Sequence, residues 1–132
     1  MKTKTNILIP FLILLMAGCA EILPGNDPVV VNAERTTQLA LDTFNTIEKL
    51  EYDTYPALKA TDADTAAKVR TFVNVLRAKS PQWLSSARTL TRAYKENRTV
   101  ENKANLDTAI AVLTSATSTA NQYIAEIKGK GL

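Results

Sequence analysis

The chain has 132 residues, a formal net charge of +3, no histidine and one cysteine, a length that suits a single domain. With no histidine and one thiol, the sequence excludes a disulfide within the chain and argues against zinc sites and histidine-based triads. Lys2 and Lys4 supply two of the three net charges, so the rest carries only +1, and nucleic acid is not an expected partner. We expect no metal, no cofactor and no catalytic residue, although an enzyme that uses carboxylates, lysine and hydroxyl groups stays open.

The first nineteen residues have the layout of an export signal. Lys2 and Lys4 form a positive start, and an apolar run, ILIPFLILLM, continues from Ile7 to Met16 toward Cys19. As a helix the twelve residues 7–18 span only about 18 Å, whereas the hydrocarbon core of a bilayer is roughly 30 Å thick. The pattern therefore favours a signal peptide over a membrane-spanning helix.

Met16-Ala17-Gly18-Cys19 resembles the lipobox of bacterial lipoproteins, whose usual form is Leu-Ala-Gly-Cys. The resemblance implies cleavage between Gly18 and Cys19, a diacylglyceryl thioether on Cys19, and acylation such as palmitate on the new amino group. Two or three acyl chains make membrane attachment effectively permanent. Ala20 stands where an aspartate typically retains a lipoprotein in the inner membrane, so the resemblance implies an outer-membrane anchor facing the periplasm. The alternative is a free thiol behind an ordinary signal.

A short flexible tether is predicted over residues 19–31, between a signal peptide at 1–18 and a folded domain at 32–132. The stretch ILPGNDP, residues 22–28, contains two prolines and a glycine, which break helices and strands. The neighbouring DPVVVNAE, residues 27–34, resembles small uncharacterised lipoproteins of phage and prophage sequences. That resemblance concerns origin and implies no activity.

Beyond residue 31 the apolar residues recur at helical spacing, which predicts an all-α domain. The first helix is predicted to begin near Asn32, a competent N-cap, and to bend or end at Pro56. A second is predicted over Ala63–Lys79, a third from Ser80-Pro81, where a hydroxyl and a proline favour a helix start, and a fourth after Thr99. These helices predict a small four-helix bundle, or three helices if the second and third form one bent helix.

Charge is divided unevenly along the chain. Residues 19–65 hold nine acidic and three basic side chains, whereas residues 66–98 hold eight basic and one acidic. One interpretation is a basic face with Arg88, Arg92 and Lys95 that meets anionic lipid headgroups, lipopolysaccharide or an acidic partner. The other, which we favour, is an acidic first helix packed beside basic neighbours in one bundle.

Glu51 falls in the middle of the apolar stripe of the predicted first helix. An unpaired carboxylate there would be unfavourable, so we expect a buried ion pair with an arginine of the basic segment, or a raised pKa. An alternative function follows from the same residue: an envelope hydrolase or ligand-binding protein that uses Glu51 and nearby tyrosines. No second carboxylate is placed by spacing to work with it.

The stretch TAIAVLTSATSTANQYIA, residues 108–125, contains no charge, although the exposed face of a helix is usually charged. Either both neighbouring helices cover it, or its Ser/Thr/Ala face, with Ser115 and Ser118, contacts another protein or a second copy. The sequence thus predicts a lipid-anchored, non-enzymatic helical envelope protein that binds a protein partner or itself. A phage-encoded exclusion or lysis accessory is a further alternative.

Overall fold

A computed structural model describes residues 27–132, which form three long helices: α1 (Pro28–Thr61), α2 (Ala63–Glu96) and α3 (Val100–Gly129). Joints of one and three residues make consecutive helices antiparallel. Each helix is about 45–50 Å long. The predicted all-α bundle is therefore confirmed, in its three-helix form. The predicted signal peptide, the lipidation site Cys19 and residues 19–26 of the predicted tether lie outside the described residues.

Helix α1 begins at Pro28, one turn earlier than the predicted start at Asn32. The carboxylate of Asp27 accepts a hydrogen bond from the backbone N–H of Val29 at 2.9 Å, and proline suits the first helical position. Val30 is buried in the cluster that holds Leu106. Burial of Val30 extends the helix, so residues 28–31 of the predicted tether belong to α1.

Helix α2 runs unbroken through Ser80 and Pro81, so the predicted start of a third helix there is wrong. Ser80 is buried and Pro81 is exposed, which places the missing proline N–H on the solvated side of the helix. The buried residues keep helical spacing across this point: Val69, Val73, Leu76, Ser80, Leu84, Ala87, Thr91 and Tyr94. A continuous buried stripe outweighs the local start signal. Helix α1 likewise continues through Pro56.

The core consists of one buried stripe from each helix. Its largest fully buried side chains are Phe44, Ile47, Leu58, Val69, Val73, Leu76, Leu106, Leu113 and Ile127. Within residues 27–132, none of the helices combines the length and the apolar character that crossing a bilayer requires.

Asp62, the single residue between α1 and α2, caps both helices. Its N–H donates to the carbonyl of Leu58 at 2.7 Å, and its carboxylate accepts from the N–H of Thr65 at 3.0 Å. Lys130, just beyond α3, donates from Nζ to Oδ2 of Asp62 at 2.7 Å. The hydrogen bonds that its carboxylate accepts, chiefly the one from Lys130 and then those from Thr65, hold the pKa of Asp62 well below its ordinary value. Asp62 therefore joins the ends of all three helices, α1 through its backbone N–H and α2 and α3 through its carboxylate.

Replacement of Pro81 by alanine tests the continuity of α2. A proline in a helix interior costs about 3 kcal/mol relative to alanine, and its loss frees the unfolded chain by up to about 1 kcal/mol. We expect Pro81→Ala to raise the free energy of unfolding by about 2 kcal/mol in urea denaturation. Pro28→Ala is the matched control, because proline at the first helical position carries no such penalty. Equal effects at the two positions would contradict an unbroken α2.

The Asp62 cap predicts a pH dependence. Because the folded-state pKa lies below the ordinary value of 3.8, ionised Asp62 stabilises the fold fully above about pH 4 and less as the pH falls further. Asp62→Asn keeps an oxygen that accepts from Thr65 but removes the charge beside Lys130. We expect the variant to melt below wild type near neutral pH, with a difference that shrinks below about pH 4. A difference in melting temperature that grows on acidification would refute this.

Candidate functional site

Glu51 lies in the α1–α2 interface, in the half of α1 nearer the Asp62 joint, and its side chain is 2 % exposed. Nε of Arg70 is 2.7 Å from its Oε1, and Nη2 of Arg77 is 3.4 Å from its Oε2. Both arginines come from the basic segment, the kind of partner that the sequence predicts for this carboxylate. The arrangement holds α1 and α2 at one relative position, because the charge is satisfied only where the arginines reach it.

Two further side chains fix the arginines in place. The guanidinium carbon of Arg70 lies 3.2 Å from the ring centroid of Tyr55, a cation–π contact. Arg77 also reaches Glu48, with 3.7 Å between its Nε and Oε2 of that carboxylate. Both oxygens of Glu51 therefore face guanidinium groups, and the arrangement serves as a structural ion pair.

The charge division of the sequence becomes contact between α1 and α2. Besides Arg70 and Arg77, Lys95 pairs with Glu34, and Nε of Arg98 lies 2.9 Å from Oδ2 of Asp27. Four of the eight basic residues of segment 66–98 therefore meet acidic residues of α1 or its cap. This is the arrangement of an acidic first helix beside basic neighbours.

Arg88 and Arg92 are different, because neither forms an ion pair with any residue from 27 to 132. They are exposed and, together with Lys95, line a groove of about 350 Å³ between the first half of α1 and the last third of α2. The structure thus brings the three residues of the predicted basic face together. We call this depression the arginine groove; its lining residues are Glu34, Thr37, Gln38, Arg88, Thr91, Arg92 and Lys95.

The uncharged stretch of α3 has an open outer side. Only its core side is buried, through residues such as Leu113, Ala116 and Ala120, and the neighbouring helices of the described chain leave the rest exposed. Ser115 and Ser118 lie on this open side. We call it the α3 face; its exposed members are Thr108, Ala111, Val112, Thr114, Ser115, Ser118, Asn121, Gln122 and Ala125.

Thr117 borders the α3 face and has an unsatisfied hydroxyl. The residue is 7 % exposed, and its Oγ1 has no hydrogen-bond partner among residues 27–132. The buried hydroxyls of Thr37 and Thr91 instead donate to the carbonyls of their own helices, at 2.8 and 2.7 Å. Thr117 also lines a shallow depression with Thr114, Ser118, Asn121, Gln122 and Ala125.

An apolar groove of about 210 Å³ adjoins the α3 face, between α2 and α3. Trp83 is half-buried there, and none of the lining residues is charged: Trp83, Ser86, Leu90, Asn105, Thr108, Ala109 and Val112. We call it the Trp83 groove. Sequence reasoning missed it, because helical spacing assigns Trp83 to the core and only the position of α3 beside α2 shows the opening.

The Glu51 ion pair predicts that loss of the two arginines destabilises the fold more than loss of the carboxylate. Glu51 is buried, whereas the Arg70 and Arg77 side chains are 44 % and 45 % exposed. Arg70→Ala with Arg77→Ala leaves a buried charge unpaired, which costs about 3 kcal/mol or more; Glu51→Leu removes that charge and leaves arginines that water can solvate. We expect the double variant to lose at least about 2 kcal/mol more free energy of unfolding than Glu51→Leu in denaturant titration. The reverse order would show that the pair does not satisfy a buried carboxylate.

Comparisons with known proteins supply no template for these surfaces. No protein-family model, no curated protein and no solved structure matches the chain significantly. Across residues 27–132, no cluster of three or more aspartate, glutamate or cysteine side chains is arranged to hold a metal ion. The function must therefore be inferred from the geometry of the two grooves, the α3 face and the Glu51 ion pair.

Proposed function

We propose that this chain is a lipid-anchored, non-enzymatic helical protein of the bacterial envelope, and that it binds a protein surface through the α3 face, first of all that of a second copy. The observation that carries the proposal is the uncharged, exposed side of α3 over residues 108–125. That side extends about 27 Å along the helix. The outer sides of α1 and α2, in contrast, carry charges such as Arg35, Asp42, Lys68 and Lys79.

An uncharged surface favours association for two physical reasons. Burial of the α3 face removes no ionised group from water, so the large desolvation penalty of buried charge is avoided. Its alanine, serine and threonine side chains are short, which lets a second helix approach closely. The symmetry of a homodimer brings the same surface of both copies together. Because the α3 face is uncharged, two copies can meet there without like-charge repulsion.

The Trp83 groove supplies the apolar part of such an interface. Energetically dominant contacts at protein interfaces are often aromatic side chains at a well-packed centre, with polar residues around them. Trp83, Leu90 and Val112 adjoin the small polar residues of the α3 face. The hydroxyl of Thr117 adds one polar group with no partner within residues 27–132.

The anchor is the second part of the proposal, and it rests on the lipobox resemblance that ends at Cys19. Attachment to one membrane raises the local concentration of neighbouring copies, so a weak interface is sufficient for association. The proposed location, in the outer membrane facing the periplasm, rests on Ala20, the residue that follows this segment.

No comparable observation favours the hydrolase alternative. Glu51 lines neither groove, and each of its oxygens faces an arginine. The phage-accessory alternative concerns genetic origin, which the geometry of the bundle does not address.

Charge placed on the α3 face tests the proposal. The double variant Ser115→Lys and Ser118→Lys puts two like charges where two copies would meet, so it should reduce the crosslinked dimer recovered from membranes at least about tenfold, the effect of about 1.4 kcal/mol. The matched control adds the same two charges to exposed positions of α1, as Asn45→Lys with Thr46→Lys. All three proteins should melt at similar temperatures.

Two results would refute the proposal. One is recovery of monomer alone from wild-type membranes, with no crosslinked partner protein. The other is equal crosslinking of wild type and the double lysine variant. The anchor is checked separately with a palmitate analogue, which should label wild type and leave Cys19→Ser unlabelled.

A further inference from the structure

The arginine groove contains two cations, Arg88 and Arg92, that pair with no carboxylate among residues 27–132. The other arginines of α2, Arg70 and Arg77, each reach a carboxylate of α1. Opposite Arg88 and Arg92, however, α1 presents the uncharged side chains of Thr37 and Gln38. Within residues 27–132, Arg88 and Arg92 are therefore unpaired because α1 places uncharged side chains opposite them.

Arg88 and Arg92 stand four residues apart, so their side chains leave the same side of α2 about 6 Å from each other. Like charges at this spacing repel and slightly destabilise the helix. A bound anion would relieve that repulsion. Two guanidinium groups one turn apart match the oxygen atoms of a phosphate, which arginine holds through paired N–H donors.

The rest of the groove sets its size and charge. Lys95 contributes a third cation, and Glu34, its partner, is the one carboxylate in the lining, so the net charge of the lining is +2. The hydroxyls of Thr37 and Thr91 already donate to their own helices, and Gln38 donates to Asp42 at the edge of the groove. A volume of about 350 Å³ admits a phosphate with a small attached group.

The position of the groove indicates where the phosphate comes from. Arg92 and Arg88 lie four and eight residues before the last residue of α2, about 6 and 12 Å from the end of the bundle at which α1 begins. Cys19 precedes Asp27 by eight residues, a reach of at most about 29 Å. A lipid anchor at Cys19 would therefore hold this end of the bundle next to the headgroup layer.

We infer that Arg88 and Arg92 bind the phosphate of an anionic lipid headgroup in the membrane to which the chain is attached. The choice of a lipid as the source of the phosphate rests on the proposed anchor. The binding of phosphate in the groove does not depend on the anchor. Such a contact would orient the bundle relative to the membrane as well as hold it there.

A soluble headgroup tests the groove without the anchor. The full chain in a neutral detergent is titrated with sn-glycerol 3-phosphate by calorimetry. We expect Arg88→Gln with Arg92→Gln to weaken binding at least about tenfold, because charge-assisted hydrogen bonds are lost. Lys68→Gln with Lys79→Gln removes the same charge from exposed positions of α2 outside the groove, and should change the affinity less than about twofold. Absence of binding, or equal loss in both variants, would overturn the inference.

A second measurement distinguishes lipid from free phosphate. Protein purified from membranes is placed in phosphatidylcholine vesicles with or without phosphatidic acid, and modification of arginines by phenylglyoxal is followed by mass spectrometry. We expect phosphatidic acid to protect Arg88 and Arg92 but not Arg35, an exposed arginine of α1. Protection of Arg88 and Arg92 by inorganic phosphate but not by phosphatidic acid vesicles would overturn the lipid assignment. So would an arginine groove that binds polyglutamate, a model acidic peptide, in the calorimeter but does not bind glycerol phosphate. None of these readouts depends on the α3 face, so failure here and failure of the proposed association are separate results.

Discussion

The structure depends on one constraint: each helix must bury a single unbroken stripe along nearly its whole length. The constraint explains why α2 continues through Pro81 and why α1 continues through Pro56, since a break would rotate half of the stripe out of the core. At the joint between the first two helices a single residue, Asp62, caps both of them.

The α1–α2 and α2–α3 boundaries differ in the side chains that they leave at the surface. The α1–α2 boundary is held by charge, with Glu51 buried against Arg70 and Arg77. The α2–α3 boundary contains the uncharged Trp83 groove. A buried ion pair contributes little net stability compared with apolar packing, but it penalises a shifted alignment of the helices. The same alignment of α1 and α2 leaves Arg88 and Arg92 without a carboxylate partner in the described part of the chain, so the arginine groove is a consequence of that alignment.

The class of fold and most of the buried stripes could be predicted from the sequence, because helical spacing is a property of the chain itself. The start signal at Ser80-Pro81 misled, because a local preference of a few kcal/mol competes with burial on both sides of it. The charge of Glu51 predicted an arginine partner, but not which arginine, since that depends on how α1 and α2 align. The Trp83 groove was out of reach for the same reason: an opening between two helices has no counterpart in the spacing of either.

An odd number of helices places the first and last described residues at opposite ends of the bundle. Asp27 and the joint at Asn97 mark one end, and Asp62 and Lys130 mark the other. An anchor attached before Asp27, together with lipid bound in the arginine groove, would orient the bundle upright on the membrane. The arginine groove would then lie near the membrane surface, and the Asp62–Lys130 cap would lie about 50 Å above it. The α3 face would then lie along the side of the upright bundle, so a partner held in the same membrane would pack beside it.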